Sequence, residues 1–403
     1  MRAIITGIGH FDPTRKLKNK DLEQMVETND EWIVSRTGIK ERRILGKDKG
    51  TSYMAVRAAK KVLKQTNTAP DELDLIIVAT STPDMLMPPT AAFVQSKLNA
   101  TKCWGFDINA ACSGFVYGLA TASKFIETGK HKKVMVIGVD KMSSIVNYED
   151  RNTCLLFGDG GGAVLMEPSN EDDLGVEDFI FHLDGSGIKY LNVPAGGSLM
   201  PASHETVDKK KHCVYQEGKK IFKYAVTEMS DISLKSMEKN NLKNKDIKLL
   251  IPHQANRRII DAVSKKIGFR DDQVIINIEK YGNTTAGTIP IAMSEAYQKG
   301  MIDGQSGEEL ALVATAEAKT NEHIINCFRN IKEKSYPVEN FKEIFKDKTI
   351  LLVAAGPSLN NVIDKIEKIK EKAIVIAVGS AVGILKKHNI RPHLDAMFSP
   401  AGY

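Results

Sequence analysis

The sequence predicts a duplicated α/β fold, because strands and helices alternate in the same order in two successive stretches. The first stretch alternates strand and helix patterns at 73–80, 90–98, 103–108, 111–128 and 134–139. The second repeats that order at 247–252, 257–267, 274–278, 284–299 and 310–315. Apolar runs between turn signals are typical of buried strands. Alternation at this spacing predicts parallel strands covered by helices, and the repeat predicts two sheets layered between helices.

The boundaries of the predicted units follow from this repeat. A glycine-rich run at 160–166 predicts a strand that returns to the first sheet. After residue 318 the composition becomes charged and mixed, and a new strand pattern begins near residue 349. We therefore divide the chain into two halves of one fold, a linker and an incomplete, Rossmann-like α/β segment, at 1–170, 171–318, 319–347 and 348–403.

Composition excludes several classes of protein. The chain has 403 residues, of which 42% are hydrophobic and 26% charged, which is ordinary for a globular enzyme. No apolar run reaches the ~18 residues of a membrane span. Five cysteines without paired spacing argue against a disulfide framework and favour a reducing cytoplasm. A net charge of +6 is modest, and no nucleic-acid-binding pattern occurs. The lysine run at 209–211 is either a solvated loop or a surface for an acidic partner.

Polar residues cluster where predicted strands end and helices begin, at 109–114, 253–256 and 282–285. In open parallel sheets, ligands bind at this edge. Three clusters that are distant in sequence could therefore form one pocket.

Cys112 is the candidate nucleophile in the first cluster. It lies at the predicted start of a helix, where backbone N–H groups and the helix dipole favour a thiolate. On its own, a buried cysteine is more often a small hydrophobic residue. The other four cysteines receive that structural interpretation.

His253 and Asn283 give the cysteine a chemical context. An imidazole and a carboxamide can donate hydrogen bonds to a developing enolate oxygen without carrying a formal charge. A thioester on Cys112 could then be attacked by a carbanion formed through loss of CO2. A hydrolase triad fits less well, because no third carboxylate is needed. Histidines at metal-ligand spacing are absent, so we expect no metal site.

Five motifs carry a family resemblance. They are NDEWIVSRTGI at 29–39, AACSGF at 110–115, FGDG at 157–160, PHQAN at 252–256 and YGNT at 281–284. Over residues 1 to about 302 the chain resembles 3-oxoacyl-[acyl-carrier-protein] synthase III, a member of the thiolase-like superfamily. The resemblance implies a thiolase-like fold and the initiating condensation of fatty-acid synthesis. In that reaction acetyl-coenzyme A and malonyl-carrier protein give 3-oxoacyl-carrier protein, CO2 and coenzyme A.

The resemblance also implies roles for individual residues. Cys112 matches the acylated nucleophile, and His253 and Asn283 match the pair that promotes decarboxylation. The positions that match the coenzyme A path are Thr28, Trp32, Arg36, Arg151, Gly218 and Asn256, with the adenine between Trp32 and Arg151.

Further matches concern the acyl group and the partners. Phe157 matches a wall of the acyl pocket, and Met87 matches a dimer-interface residue that closes the partner's pocket. Lys223 and Arg258 match the basic surface that meets the acyl carrier protein. The resemblance thus implies a homodimer that binds acyl-coenzyme A and acyl carrier protein. Because the thioether side chain of Met87 is flexible, we expect the acyl pocket to accept primers somewhat longer than acetyl.

The family pattern breaks near the end of the second half. The family has a glycine-rich loop and one more strand after the strand at 310–315, whereas this chain continues with AEAKTN at 316–321. In the family, that loop supplies one of two oxyanion-hole donors. The tail at about 320–403 instead resembles the start of the motility-accessory-factor family, linked to flagellin glycosylation.

Two alternatives remain open at this point. One is a condensing enzyme of the same fold that primes a secondary lipid or polyketide. The other is a fused or frameshifted chain that binds coenzyme A and turns over poorly. Thiolase or hydroxymethylglutaryl-coenzyme A synthase activity fits the motifs less well.

Overall fold

A computed structural model of the protein divides the chain into two compact units, 1–320 and 321–403, and each unit contains its own strands. The structure describes residues 2–169, 175–302 and 310–314, together with the backbone of three strands in the tail. The strands of the first unit are β1 Ala3–Phe11, β2 Lys16–Lys18, β3 Glu41–Arg43, β4 Leu75–Ala79, β5 Trp104–Ile108, β6 Val134–Lys141, β7 Asp159–Pro168, β8 Leu191–Asn192, β9 Tyr215–Gln216, β10 Ile247–Pro252 and β11 Leu310–Ala314.

Helices follow most of these strands. They are α1 Asn19–Leu22, α2 Asp30–Thr37, α3 Thr51–Gln65, α4 Thr90–Leu98, α5 Gly114–Glu127, α6 Arg151–Cys154, α7 His204–Asp208, α8 Gly218–Lys239, α9 Arg257–Ile267, α10 Ile278–Tyr281 and α11 Thr288–Gln298. Short 3-10 turns precede two of them, at Ala111–Ser113 before α5 and at Thr285–Gly287 before α11.

The first half contains a mixed five-stranded sheet with the order β1-β7-β6-β4-β5. Strand β4 pairs in parallel with both β5 and β6, whereas β7 is antiparallel to β1 and β6. All five residues of β4 are buried. Because side chains alternate across a strand, Ile76 and Val78 enter one apolar cluster while Leu75 and Ile77 enter another. The sheet is therefore covered on both faces, as its sequence predicts.

Helices and sheets stack in the predicted layers. Helices α3 and α4 cover one face of the first sheet. On the other face, Phe115 of α5 and Ile289 of α11 share a cluster with Ile251 of β10. Beyond β10, helices α8 and α9 pack through Met229, Ile260 and Val263. Helices α5 and α11, one from each half, thus lie between the two sheets.

The strand predicted at 274–278 does not form, and this part of the prediction is wrong. Only one bridge, Leu250 with Val274, is present. The reason is the Gln254 side chain, whose amide donates to the Ile275 carbonyl at 3.2 Å and accepts from the Asn277 N–H at 3.0 Å. The Gln254 amide thus occupies backbone groups that would otherwise pair with a neighbouring strand, and helix α10 begins at Ile278.

The end of the second half differs from that of the first. In the first half, β7 lies between β1 and β6. Among the described residues, β11 pairs only with β10, and a cavity of about 870 Å³ is lined by α5 and residues 176–181. The predicted replacement of the glycine-rich loop, 316–321, lies outside the described residues.

The tail contains three strands, β12 Thr349–Ala354, β13 Ala373–Val378 and β14 Leu394–Ala396. They form a parallel sheet in chain order, β12-β13-β14. This order is the one that a partial Rossmann-like segment predicts. The linker at 319–347 and the short apolar run at 324–328 lie outside the described residues.

Candidate active site

Cys112 lies on the 3-10 turn Ala111–Ser113, immediately before α5. The helix predicted over 111–128 therefore begins three residues later than expected, at Gly114. Ala111 has a φ of +36°, which L-residues rarely adopt and which is typical of functional turns. A Cβ on Gly114 would lie 3.1 Å from the Ala79 Cβ, so glycine lets the turn approach the end of β4. Cys112 is half-buried at the start of the helix, where a thiolate is favoured.

Asn283 is buried and its side chain is oriented. Its backbone pairs with the Leu156 carbonyl and the Gly158 N–H, at 2.9 and 3.1 Å. Its Oδ1 accepts the backbone N–H of Thr285 at 2.8 Å. Since that bond fixes which end of the carboxamide is the oxygen, Nδ2 carries the remaining hydrogen-bond donors.

His253 is buried at the end of β10, where its backbone N–H donates to the Ala314 carbonyl at 2.8 Å. Its Nδ1 lies 2.6 Å from the Thr288 hydroxyl. Its Nε2 is buried and has no hydrogen-bond partner among the described residues. Burial lowers the pKa of His253 to about 4. The ring is therefore neutral at physiological pH, as a neutral donor requires.

The turn Thr285–Gly287 brings these three residues together. The Thr285 N–H donates to Asn283 Oδ1. Thr288 follows the turn, and its hydroxyl contacts His253 Nδ1. The turn itself contacts the turn that carries Cys112. Thr285 has a φ of +51°, an outlier for a β-branched residue. The predicted cluster at 282–285 includes Thr285 but not Thr288, and the sequence indicated a supporting role for neither.

Asp140 is a third supporting residue that the sequence did not indicate. It is fully buried at the end of β6, and burial raises its pKa to about 6. Its carboxylate accepts hydrogen bonds from Thr80, Ser81 and Thr82 at 2.8–3.0 Å and from the Ala286 N–H at 3.0 Å. It therefore fixes the Thr285–Gly287 turn to the end of β4. The pattern of a strand ending in aspartate gave no signal of this role.

The low pKa of His253 gives a testable pH dependence. We expect the imidazole to remain neutral on acidification to about pH 5, because burial lowers its pKa to about 4. The unfolded chain, with an ordinary histidine pKa near 6.5, binds a proton that the folded chain does not. This group therefore lowers the free energy of unfolding progressively as pH falls from about 6.5 toward 4. Histidine-labelled NMR, with His253→Gln to identify the resonance, measures this; a midpoint near 6.5 would contradict it.

Trp32 and Arg151 lie together at the mouth of a second cavity. The Arg151 guanidinium is 4.3 Å from the centre of the Trp32 ring. Both line a cavity of about 190 Å³ with Thr37, Asn152, Leu155 and Leu156. A flat base between two groups needs about 7 Å, twice the ~3.5 Å contact of carbon atoms. Arg151 must therefore move away from Trp32 if an adenine is to lie between them.

Three of the other predicted coenzyme A positions lie on or beside α2, whose Thr37 lines this cavity. They are Thr28, Arg36 and Asn256. Thr28 precedes α2, and its buried hydroxyl has no hydrogen-bond partner among the described residues. Asn256 caps α9 and donates through Nδ2 to the Arg36 carbonyl at 3.0 Å. A Cβ on Gly38 would lie 2.4 Å from the Arg257 Cβ, so α2 and α9 are in close contact. Gly218 is exposed at the start of α8.

The two predicted docking residues lie on neighbouring helices. Lys223 is on α8 and Arg258 is on α9, and both are exposed. The Arg258 guanidinium lies 5.2 Å from the centre of the Phe222 ring, next to Lys223. Each of the two neighbouring helices thus carries one of the exposed cations.

The two acyl-pocket positions differ in burial. Phe157 is buried and forms a bridge with Asn283. Met87 is 81% exposed and Leu86 is 87% exposed. In this single chain Met87 therefore contributes to no closed pocket. Among the described residues, no cluster of three or more side chains could hold a metal ion, and no helix has the length and apolar character needed to cross a bilayer.

Comparison with known proteins is consistent with this geometry. Residues 106–185 match the family model of 3-oxoacyl-[acyl-carrier-protein] synthase III, and residues 237–318 match the model of its C-terminal part. A beta-ketoacyl-[acyl-carrier-protein] synthase III from Chlorobium phaeobacteroides is 52% identical over 316 residues, which cover 78% of this chain and 95% of the relative.

Solved structures agree in fold. The 3-oxoacyl-[acyl-carrier-protein] synthase III of Aquifex aeolicus VF5 is 44% identical with a TM-score of 0.68, covering 74% of this chain and 92% of that chain. The priming β-ketosynthase of the R1128 polyketide pathway is 30% identical with a TM-score of 0.68, covering 74% and 89%. Residues 322–399 match a separate family model, 6-hydroxymethylpterin diphosphokinase MptE-like, in agreement with the resemblance of the tail to motility accessory factors.

Proposed function

Because the chain belongs to the 3-oxoacyl-[acyl-carrier-protein] synthase III family, we propose that Cys112, His253 and Asn283 catalyse its condensation of an acyl-coenzyme A with malonyl-carrier protein. The observation that carries this proposal is the turn Thr285–Gly287, which holds Asn283, adjoins the residue that holds His253, and contacts the turn of Cys112. The reaction initiates fatty-acid synthesis and needs no cofactor beyond its thioester substrates. We infer a reducing cytoplasm as its compartment, which keeps Cys112 a thiol.

The first step is acyl transfer to Cys112. The thiolate sulfur attacks the thioester carbonyl, a carbon–sulfur bond to the enzyme forms, and coenzyme A leaves as a thiolate that takes up a proton. The position of Cys112 before α5 favours the thiolate. The acyl-enzyme then retains the acyl group while coenzyme A departs.

The second step is decarboxylative condensation. Malonyl-carrier protein loses CO2, and the electron pair of the broken carbon–carbon bond forms an enolate. The α-carbon of this enolate attacks the carbonyl carbon of the acyl group on Cys112, the new carbon–carbon bond forms, and the Cys112 thiolate leaves. His253 and Asn283 are both neutral and buried, so each can donate to the enolate oxygen without holding the negative charge in an ion pair.

Purified protein with acetyl-coenzyme A and malonyl-carrier protein tests the proposed reaction. We expect 3-oxobutanoyl-carrier protein and CO2 in equal amounts, and no product from Cys112→Ser. Release of CO2 without a condensed product, or neither product from folded protein, would contradict the proposal. A series of longer acyl-coenzyme A primers measures the tolerance expected from Met87, and a collapse of turnover at butyryl would exclude it.

Trp32 is proposed as the base-stacking residue for coenzyme A. Its ring is exposed on one side and is covered by Arg151 on the other. Trp32→Ala is expected to weaken acetyl-coenzyme A binding by about 10-fold, since stacking of a base on an aromatic ring contributes ~1–3 kcal/mol. Titration calorimetry in a Cys112→Ser background, which lacks the proposed acylated thiol, measures this binding. Tyr297→Ala is the control, because Tyr297 is an exposed aromatic residue of α11 that does not line this cavity. Equal affinity in the two variants would remove Trp32 from the site.

A surface of α8 and α9 is proposed to bind the carrier protein. Lys223 and Arg258 are exposed on two helices that pack together, and surface cations steer an acidic partner. Charge reversal at either residue is expected to raise the KM for malonyl-carrier protein, with the KM for acetyl-coenzyme A unchanged.

We also propose that two copies of the chain associate. Strand β5 ends its sheet, because it pairs only with β4 among the described residues, and its Trp104 is exposed. Leu86 and Met87 are also largely exposed. Exposed apolar side chains and a free edge favour pairing with another chain. Sedimentation of the parent and of Trp104→Glu tests this, and monomeric parent protein at micromolar concentration would exclude it.

A fused chain that turns over poorly is the second candidate, and one observation favours it. The family match ends at residue 318 and a match to a different family begins at residue 322. The predicted second oxyanion donor would come from this junction, and loss of one such donor costs about 10²–10³-fold in rate. Acyl loading with condensation slowed to this extent would favour the fused chain, and a frameshift in the coding DNA near codons 300–320 would explain it.

A further inference from the structure

The two ring nitrogens of His253 have different surroundings. Nδ1 lies 2.6 Å from the Thr288 hydroxyl oxygen. Nε2 is buried and has no partner among the described residues. A neutral imidazole carries a single proton, so one nitrogen donates and the other accepts. The contact with Thr288 therefore determines whether the nitrogen without a partner is a donor or an acceptor.

The Thr288 hydroxyl has one hydrogen and two neighbours that could accept it. One is His253 Nδ1 at 2.6 Å, and the other is the Thr285 carbonyl at 3.1 Å. The carbonyl already accepts the backbone N–H of Thr288, as the last bond of the 3-10 turn. Nδ1 has no other donor among the described residues. The contact with Nδ1 is the shorter of the two, and this favours donation of the hydroxyl hydrogen to the imidazole.

We propose that Thr288 is a positioning residue whose hydroxyl donates to His253 Nδ1 and so keeps the ring proton on Nε2. In this tautomer Nε2–H is a donor that can meet an oxyanion. In the other tautomer, Nε2 would present a lone pair and repel a developing enolate oxygen. This inference rests on the proposed role of His253 in decarboxylation.

The same short segment then sets both donors. The Thr285 N–H holds the Asn283 oxygen and leaves the Nδ2 hydrogens for the substrate. The Thr288 hydroxyl holds the imidazole. Both threonines are buried, and the turn between them is fixed through Ala286 to Asp140. A rigid support of this kind maintains donors in place before charge develops.

Thr288→Val removes the hydroxyl with little change of shape, and Thr288→Ser retains it. We expect Thr288→Val to lower condensation by about 10- to 100-fold, by analogy with the loss of the hydrogen-bond partner that orients a metal-bound histidine. Acetyl loading of Cys112 should stay near the parental rate in both variants. Thr288→Ser should recover most of the condensation rate.

Histidine-labelled ¹⁵N NMR reads the tautomer directly, with His253→Gln to identify the signals. The proposal requires a protonated Nε2 in the parent and in Thr288→Ser, and a mixture of tautomers in Thr288→Val. A protonated Nδ1 in the parent overturns the proposal, as does an unchanged condensation rate in folded Thr288→Val. If Thr288→Val does not fold, the tautomers of the parent and of Thr288→Ser decide. A parent that loads Cys112 but never condenses would refute the proposed reaction, while the tautomer would still decide the role of Thr288.

Discussion

Asn283→Asp is expected to lower the rate of condensation by about 10²–10³-fold, as loss of an oxyanion donor does. The aspartate retains an oxygen that can accept the Thr285 N–H, so the turn should keep its conformation. It lacks the Nδ2 donors, and its negative charge would repel the enolate. Acyl transfer to Cys112 should continue, because that step does not form the enolate. Steady-state condensation and single-turnover loading measure the two effects separately.

Asn147→Asp is the matched control for this change. Asn147 also accepts, through Oδ1, the N–H of the residue two positions later, at 3.0 Å from Glu149. The same atoms are exchanged in the same type of bond, from a backbone N–H to the side-chain oxygen two residues earlier, outside the three polar clusters at 109–114, 253–256 and 282–285. We expect parental condensation in this control. Equal rates for Asn283→Asp and Asn147→Asp would exclude Asn283 from catalysis.

Gly138→Ala is expected to lower both the free energy of unfolding and the rate of condensation. Gly138 lies in the fully buried part of β6. A Cβ there would be 2.4 Å from the Ala286 carbonyl and 3.0 Å from Phe115. Ala286 is in the turn that supports Asn283 and His253, and Phe115 is near the start of α5. The added methyl group must push one of them, and overpacking of a core costs about 1–3 kcal/mol.

Gly197→Ala provides the comparison, because a Cβ at Gly197 would meet nothing within 4 Å. Chemical denaturation of both variants gives the free energies of unfolding, and the condensation assay gives the rates. If Gly138→Ala were as stable and as active as Gly197→Ala, the close approach of β6 to the catalytic turn would be refuted.

Much of the fold could be predicted because local patterns and tertiary packing agree. Helix α9 has the predicted bounds, since Asn256 caps its start and Gly268 ends it in the left-handed region. Strand β4 is a continuous apolar run because both of its faces are covered. The segment 274–278 carries a similar apolar run, yet Gln254 takes the backbone groups that a strand would use. A side chain that reaches across the fold leaves no signal in a local pattern.

The proposed catalytic residues could be selected from motifs, whereas the residues that contact and support them could not. Cys112, His253 and Asn283 lie in three recognisable clusters at strand ends. Thr288 and Asp140 act through contacts with residues 35 and 146 positions away along the chain, and nothing near them in sequence indicates those contacts. The direct contact of Arg151 with Trp32 was likewise not predictable, because it depends on side-chain conformation rather than on position.

The intact mass of the protein after incubation with acetyl-coenzyme A, with Cys112→Ser measured alongside, tests whether Cys112 is the acylated nucleophile. We expect one acetyl group on the parent and none on the variant, which would show that the nucleophile functions with the C-terminal junction of this chain. No acetyl group on a folded parent, or an equal adduct on Cys112→Ser, would exclude Cys112 as a working nucleophile.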